Sequence, residues 1–198
     1  SCIRSSAIRT GHRGQSLGHG MQNARARVIV VEAALVPRLV EVRQALTFLE
    51  IVVVYPEADA QVRAGLPDLR VLSFQDALGP GDREPGRAVG PQDLASIVYT
   101  SGTTGPAKGV MMPHGQIRLF SRLGVEGAQL TEDDSFYCFI PLFHVAGKFI
   151  GIMGAMMTGG RVVLDTRFSV EAFLPRVREY GCSVALMHGP LVEMLYQL

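Results

Sequence analysis

The segment most able to do chemistry reads Tyr99-Thr100-Ser101-Gly102-Thr103-Thr104-Gly105-Pro106-Ala107-Lys108-Gly109. From Thr100 to Gly109 it gathers four hydroxyl residues, three glycines and one lysine between two apolar runs. Gly102 and Gly105 let backbone N–H groups approach an anion without an obstructing Cβ. The hydroxyls of Thr100, Ser101, Thr103 and Thr104 add donors for a triphosphate, and Lys108 brings a mobile positive charge to its outer phosphates. The set suits polyphosphate. On composition alone, a solvated Ser/Thr/Gly turn accounts for it equally well. It is not a Walker A loop, because Lys108 follows Ala107 and precedes Gly109 where that pattern needs Gly-Lys-Ser/Thr. Nor does it contain the G-x-G-x-x-G dinucleotide fingerprint.

The elements that must hold this loop follow from periodicity. Residues 28–31 are a β-branched run that predicts a fully buried strand. Leu35, Leu39, Val42, Leu46 and Leu49 then recur at helical spacing, with Pro37 near the start, and residues 51–55 form a second buried strand closed by Pro56. Strand, helix and strand in this order imply a βαβ unit and a parallel sheet. A third strand is expected over 70–73, with Ser73 and Asp76 as a capping pair for a brief helix. Residues 79–91, GPGDREPGRAVGP, read as an internal linker. Beyond it, strands are expected over 94–99, 110–112, 136–140, 161–164 and 183–187. Helices are expected over 115–123, 145–158 and 170–180, with a last one opening at Pro190. The fold class is therefore α/β, a layered α/β sandwich with a mostly parallel sheet. The chain stops inside that last helix without a cap, which reads as an interior stop.

Composition narrows the function classes. The chain has 198 residues, 47% hydrophobic and 19% charged, with a net charge of +1, so no strong field points to nucleic acid or a membrane surface. Cys2, Cys138 and Cys182 are scattered, which argues against a disulfide framework or a zinc site and makes a reducing cytoplasmic setting the default. The apolar stretch 149–157 is too short for a transmembrane span and reads as a buried helix, with Met153, Met156 and Met157 filling core. Arg4, Arg9, Arg13, Arg25 and Arg27 precede the first acid, Glu32, as in an organelle transit peptide. The start at Ser1 without an initiator Met is better read as a beginning inside a longer protein. His114 is expected at a cap or surface, His188 in a turn, and Asp133 and Asp134 as solvated acids. No metal ligands are assigned.

The order of residues carries more than their composition. YTSGTTGPAKGV closely resembles the phosphate-loop signature of the adenylate-forming superfamily, which comprises acyl-CoA synthetases, luciferases and peptide-synthetase adenylation domains. The usual form has proline immediately before the lysine, whereas here Ala107 holds that place and Pro106 lies one earlier. The resemblance extends to residues 94–98, to 109–114, to the Ile140-Pro141-Leu142-Phe143-His144-Val145-Ala146-Gly147 segment, to the turn 158–164 and upstream to 12–32. Residues 1–11 fall outside it. It implies that Thr100, Ser101, Gly102, Thr103, Thr104, Gly105 and Lys108 bind ATP, that Lys108 also acts in catalysis, and that His144 lies on the substrate side near the acyl pocket. Lys148 would either line that pocket or snorkel to the surface, and snorkelling is the better reading. The implied activity is ATP- and Mg²⁺-dependent activation of a carboxylic acid to an acyl-adenylate, then transfer to coenzyme A, as in fatty acid metabolism. A homo-oligomeric parent stays open. In the family, the Mg²⁺-holding acid, the ribose aspartate, the hinge and the C-terminal lysine lie beyond residue 198. Residues 1–198 are thus expected to be part of the large AMP-binding (adenylation) domain, without the small C-terminal domain and inactive alone. The alternatives are a non-catalytic remnant or nucleotide-binding module and, from another class, a P-loop-type kinase, which the missing Gly-Lys-Ser/Thr ending disfavours.

Overall fold

A computed structural model of the chain describes residues 5–8, 10–79, 88–100 and 107–197. Among the described residues, nine strands fall into three sheets of three, and every strand pair is parallel except one.

The first sheet has the order β2-β3-β4, from Val28–Glu32, Ile51–Tyr55 and Arg70–Ser73. Its centre is β3, where Val52, Val53 and Val54 are all buried because both faces are covered. The equally apolar β2 is not the fully buried strand expected: Val28 is 52% and Val30 61% exposed. Among the described residues it pairs only with β3, and as an edge strand it has one face against the core and one facing water. The helix expected from Leu35 to Leu49 is also corrected. Leu39, Leu46 and Leu49 are buried as their spacing requires, but the chain passes through a 3₁₀ turn (Ala33–Leu35), helix α2 (Val36–Glu41) and a second 3₁₀ turn (Arg43–Ala45). Arg43 donates to the Leu46 carbonyl at 3.1 Å and pairs with Asp68, tying the chain down where a helix would have continued. Ser73 precedes α4 (Phe74–Leu78), yet its hydroxyl accepts the Ala58 N–H at 3.2 Å and makes no cap bond with the helix it opens. The short helix α3 (Ala60–Gly65) is capped instead by Asp59, which accepts the Val62 N–H at 2.7 Å.

Helix α1 (Gly14–Ala24) joins this layer to the next. Leu17 and Met21 enter the core formed by Leu39, Leu46 and Val52, while the other side of α1 meets the second sheet. That sheet has the order β1-β5-β6, from Ser5–Ser6, Leu94–Tyr99 and Gly109–Pro113; β5 and β6 are the antiparallel pair. Helix α5 (His114–Ala128) outruns the expected 115–123. Gly124 does not end it, because a Cβ there would lie 2.9 Å from Ile150 Cγ2; this glycine lets two helices touch.

The third sheet, order β8-β7-β9, is wholly parallel, from Arg161–Leu164, Ser135–Cys138 and Val184–Ala185. Central β7 is buried along its whole length. The helix expected over 145–158 is present, but its first part, Ala146–Ile152, is wound as a π-helix before α6 (Met153–Thr158). Phe149 and Ala155 are buried as predicted, whereas Met156 is 72% and Met157 42% exposed, so these two methionines do not fill core. Helix α7 (Val170–Glu179) is capped by Ser169, and α8 (Gly189–Tyr196) carries Pro190 in its first turn, one residue after it begins.

Candidate active site

The β5–β6 hairpin closes into a neck beneath the loop. Tyr99 pairs with Gly109, Val98 with Val110 and Ile97 with Met111. One step beyond, the Thr100 N–H donates to the Lys108 carbonyl at 3.0 Å, and the Lys108 N–H donates to Thr100 Oγ1 at 3.2 Å. Thr100 and Lys108 are therefore brought together, with Thr100 Oγ1 partly engaged in closing the neck and the Lys108 side chain exposed. Ser101, Gly102, Thr103, Thr104 and Gly105 lie outside the described residues.

Helix α1 braces this neck through residues that the sequence did not single out. The Tyr99 hydroxyl donates to the Gly20 carbonyl at 2.7 Å and receives Asn23 Nδ2 at 3.4 Å; burial pushes the phenol's pKa up, keeping it a donor. His19 Nε2 lies 3.3 Å from the carbonyl of Ala107, immediately before Lys108. Gly109 is required here. A Cβ on it would sit 2.8 Å from Ile97 Cγ2 and 3.3 Å from Asn23 Nδ2. Three glycines inside α1 (Gly14, Gly18 and Gly20) lower its helix propensity and hide it from periodicity; the aromatic Tyr99 beside a glycine-flanked loop was the available signal.

On the far side of β5 lies a second constellation. After β7 the chain turns at Pro141, where the His144 N–H donates to the Pro141 carbonyl at 2.9 Å. His144 Nδ1 accepts the Ala146 N–H at 3.1 Å, which in the neutral ring leaves the proton on Nε2. Gly147 permits the turn, since a Cβ there would run into the Ile140 carbonyl oxygen and sit 2.9 Å from that of Pro141. His144, Val145, Lys148 and Phe149 then face Ser96 and Val98 of β5 across a tight cleft. Lys148 is half-buried beside the cleft, and its amine donates to Ser5 Oγ at 3.0 Å in an exposed bond, an arrangement compatible with snorkelling; partial burial lowers its pKa. The structure thus brings His144 and Lys148 together at the cleft.

The remaining candidates have structural places. His114 is the exposed first residue of α5, and exposed His188 precedes α8, its carbonyl accepting the Leu191 N–H at 3.0 Å. Asp134 is more than a solvated acid. It accepts from the Thr131 N–H at 2.8 Å and the Ser183 hydroxyl at 2.7 Å, and these bonds lower its pKa. Cys138 is a buried and Cys182 a half-buried free thiol. Among the described residues no three histidines, cysteines or carboxylates gather to hold a metal ion, and no helix is long and apolar enough to cross a membrane.

The described residues thus form a braced hairpin neck that ends at Thr100 and Lys108, with His144 and Lys148 at a cleft beside β5. Comparison with known proteins identifies the class. The chain belongs to the AMP-binding enzyme family, whose model matches residues 3–198, so the resemblance reaches into the segment 1–11 that was expected to fall outside it. It is 33% identical over 193 residues to human "Long-chain fatty acid transport protein 5", covering 92% of this chain and 26% of that protein. It is 28% identical over 170 residues to "Probable CoA ligase CCL5" of Humulus lupulus, covering 83% and 30% respectively. Among solved structures, Mycobacterium smegmatis MbtA in its apo form superposes with a TM-score of 0.77 at 24% identity, over 94% of this chain and 34% of that one. An anthranilate CoA ligase, AuaEII, in complex with anthranoyl-AMP gives 0.76 at 24% identity, over 90% and 34%. These two confirm the α/β fold. The chain spans between a quarter and a third of the length of these two curated relatives.

Proposed function

We propose that this chain carries the triphosphate-binding part and one wall of the acid cleft of an ATP-dependent acid–thiol ligase. The reaction activates a carboxylic acid to an acyl-adenylate with release of pyrophosphate, then passes the acyl group to coenzyme A. The observation that carries this reading is the neck. Reciprocal bonds between Thr100 and Lys108 fix both ends of a loop rich in N–H and hydroxyl donors, and α1 holds that neck rigidly through Tyr99. Donors held in place before charge develops on the leaving pyrophosphate stabilise it without reorganising. Thr100 through Gly105 would cradle the phosphates and exposed Lys108 would meet the outer ones. Mg²⁺ would arrive with the triphosphate and share its charge. His144 and Lys148 would face the acid.

The names of the CoA ligases that this chain resembles support the choice of carboxylic acid and coenzyme A as partners. The absence of a membrane-spanning helix among the described residues is compatible with a cytoplasmic enzyme. Residues 79–91 are read as a connection within one adenylation domain. Acid-dependent exchange of labelled pyrophosphate into ATP, measured on the protein at its native length, tests the reading. Exchange that requires both Mg²⁺ and a carboxylic acid is expected; nucleotide binding without exchange would leave a non-catalytic nucleotide-binding module.

A further inference from the structure

We infer that the open cavity between helix α1 and the second 3₁₀ turn is a second ligand site, and that it takes a planar aromatic ring carrying an anionic group. The cavity measures about 560 Å³, a volume within the range of small-molecule sites. Gly18 of α1 and Ala45 of the turn line it with little side-chain bulk; a Cβ on Gly18 would stand 3.5 Å from Ala45 Cβ. The other lining residues are His19, Gln22, Asn23, Arg25 and Phe48. They supply an imidazole, two amides, a guanidinium and a phenyl ring, with no carboxylate among them.

Arg25 sets the charge of the site. Its guanidinium lies 5.5 Å from the centre of the Phe48 ring, and that residue is 39% exposed. A cation over a ring face keeps its N–H donors unspent. Among the described residues this guanidinium meets no carboxylate and makes no hydrogen bond, whereas nearby Arg27 is closed off by two bonds to Glu50, at 2.8 and 2.7 Å. Arg25 also caps α1 with φ 49° and ψ 45°, its N–H donating to the Gln22 carbonyl at 3.0 Å. Glycine or asparagine usually supplies that left-handed position, so the cap itself gains nothing from arginine.

The walls are tied in place. Gln22 Nε2 donates to Thr47 Oγ1 at 2.9 Å, joining α1 to the residue before Phe48, and Asn23 Nδ2 reaches the Tyr99 hydroxyl at 3.4 Å. His19 Nε2 is the donor to the Ala107 carbonyl at 3.3 Å, because a carbonyl only accepts, and this leaves Nδ1 for a further partner. Arg25 and His19 are both exposed, so a ligand reaches them directly from solvent. A ring packs against Phe48 while the guanidinium fork takes carboxylate or phosphate oxygens in pairs. An alkyl chain or a cation finds no such complement. The inference does not depend on the acid-activating reading, since its residues belong to α1 and to the segment before β3.

The chain contains no tryptophan, so Phe48→Trp places a single fluorophore at the cavity and keeps an aromatic face there. Phenyl phosphate and benzoate, titrated without nucleotide, distinguish a phosphate ligand from a carboxylate; phenol and inorganic phosphate offer the ring and the anion alone. Saturable quenching by phenyl phosphate or benzoate, on the order of tenfold tighter than by phenol or inorganic phosphate, is the expected result. No saturable response, or an equal response to phenol or inorganic phosphate, overturns the inference. Arg25→Gly suits the left-handed cap and should leave the fold intact, yet weaken binding on the order of tenfold through lost charge-assisted hydrogen bonds. Calorimetric titration of the native-length protein, parent against Arg25→Gly, reads the same loss without the added tryptophan; unchanged affinity also overturns the inference. Strictly competitive displacement by MgATP would make the cavity part of the nucleotide site and overturn a second one. Absence of pyrophosphate exchange for every acid, with the aromatic anion still bound, would refute only the activation reading.

Discussion

Replacing Gly109 by alanine should loosen the neck and, through it, nucleotide binding. The new Cβ would stand 2.8 Å from Ile97 Cγ2 and 3.4 Å from Tyr99 Cε1, whereas carbon atoms prefer about 3.5–4.0 Å. Ile97 cannot easily yield, because its methyl branches directly from Cβ and has few χ1 alternatives. The two strands must part by several tenths of an ångström, which disturbs the Tyr99–Gly20 bond and the Thr100–Lys108 pair one residue on. Overpacking of this kind costs about 1–3 kcal/mol, equivalent to a fall in Tm of about 2–4 °C per kcal/mol for a chain of this size. Urea titration and calorimetric binding of MgATP read the two effects. Ile97→Ala removes the clashing methyl, so the double variant should be more stable than the sum of the single losses predicts. Simple additivity, or Gly109→Ala binding MgATP as tightly as the parent, would refute the argument that this glycine sets the neck.

Three other outcomes follow from the geometry. Gly147→Ala, whose Cβ would meet two backbone carbonyl oxygens, should destabilise the protein by more than Gly109→Ala does, as compared by urea midpoints. His144→Ala should raise KM for the acid while leaving MgATP affinity nearly intact; weakened ATP binding with unchanged acid selectivity would move His144 to the nucleotide side. Asp165 receives the Tyr137 hydroxyl at 2.6 Å and pairs with Arg176, and the Tyr137 bond is the chief reason its carboxyl stays below the usual range. Its stabilising contribution is therefore present above the ordinary carboxylate pKa of about 3.9 and lost as pH falls through the depressed value. Asp165→Asn should flatten the stability profile in that acid window.

The legible and illegible parts of the fold divide along a physical line. Elements written in side-chain periodicity or apolar runs, such as β3, β7 and the segment opening at Val145, stand where they were expected, because burial selects those residues directly. Continuity was harder to read. The leucines from Leu35 to Leu49 keep their helical spacing across two 3₁₀ turns, since spacing reports which residues face the core and not whether the helix is unbroken. Edge position was invisible as well: Val30 and Val53 look alike in sequence but differ in how many neighbouring strands and layers cover them. At the site, residue order pointed to Thr100, Lys108 and His144. The braces around them were hidden because His19 and Asn23 act across 88 and 76 positions of sequence on a helix diluted by glycine.

In the proposed reaction Lys108 would stand where charge develops as pyrophosphate leaves. Lys108→Ala in the native-length protein should therefore slow adenylate formation on the order of a hundredfold, a few kcal/mol of transition-state stabilisation, and hardly affect thioester formation from pre-formed acyl-adenylate and coenzyme A. Single-turnover measurement of both half-reactions is the most direct test. A selective loss in the first is the predicted result, and equal slowing of both would contradict it.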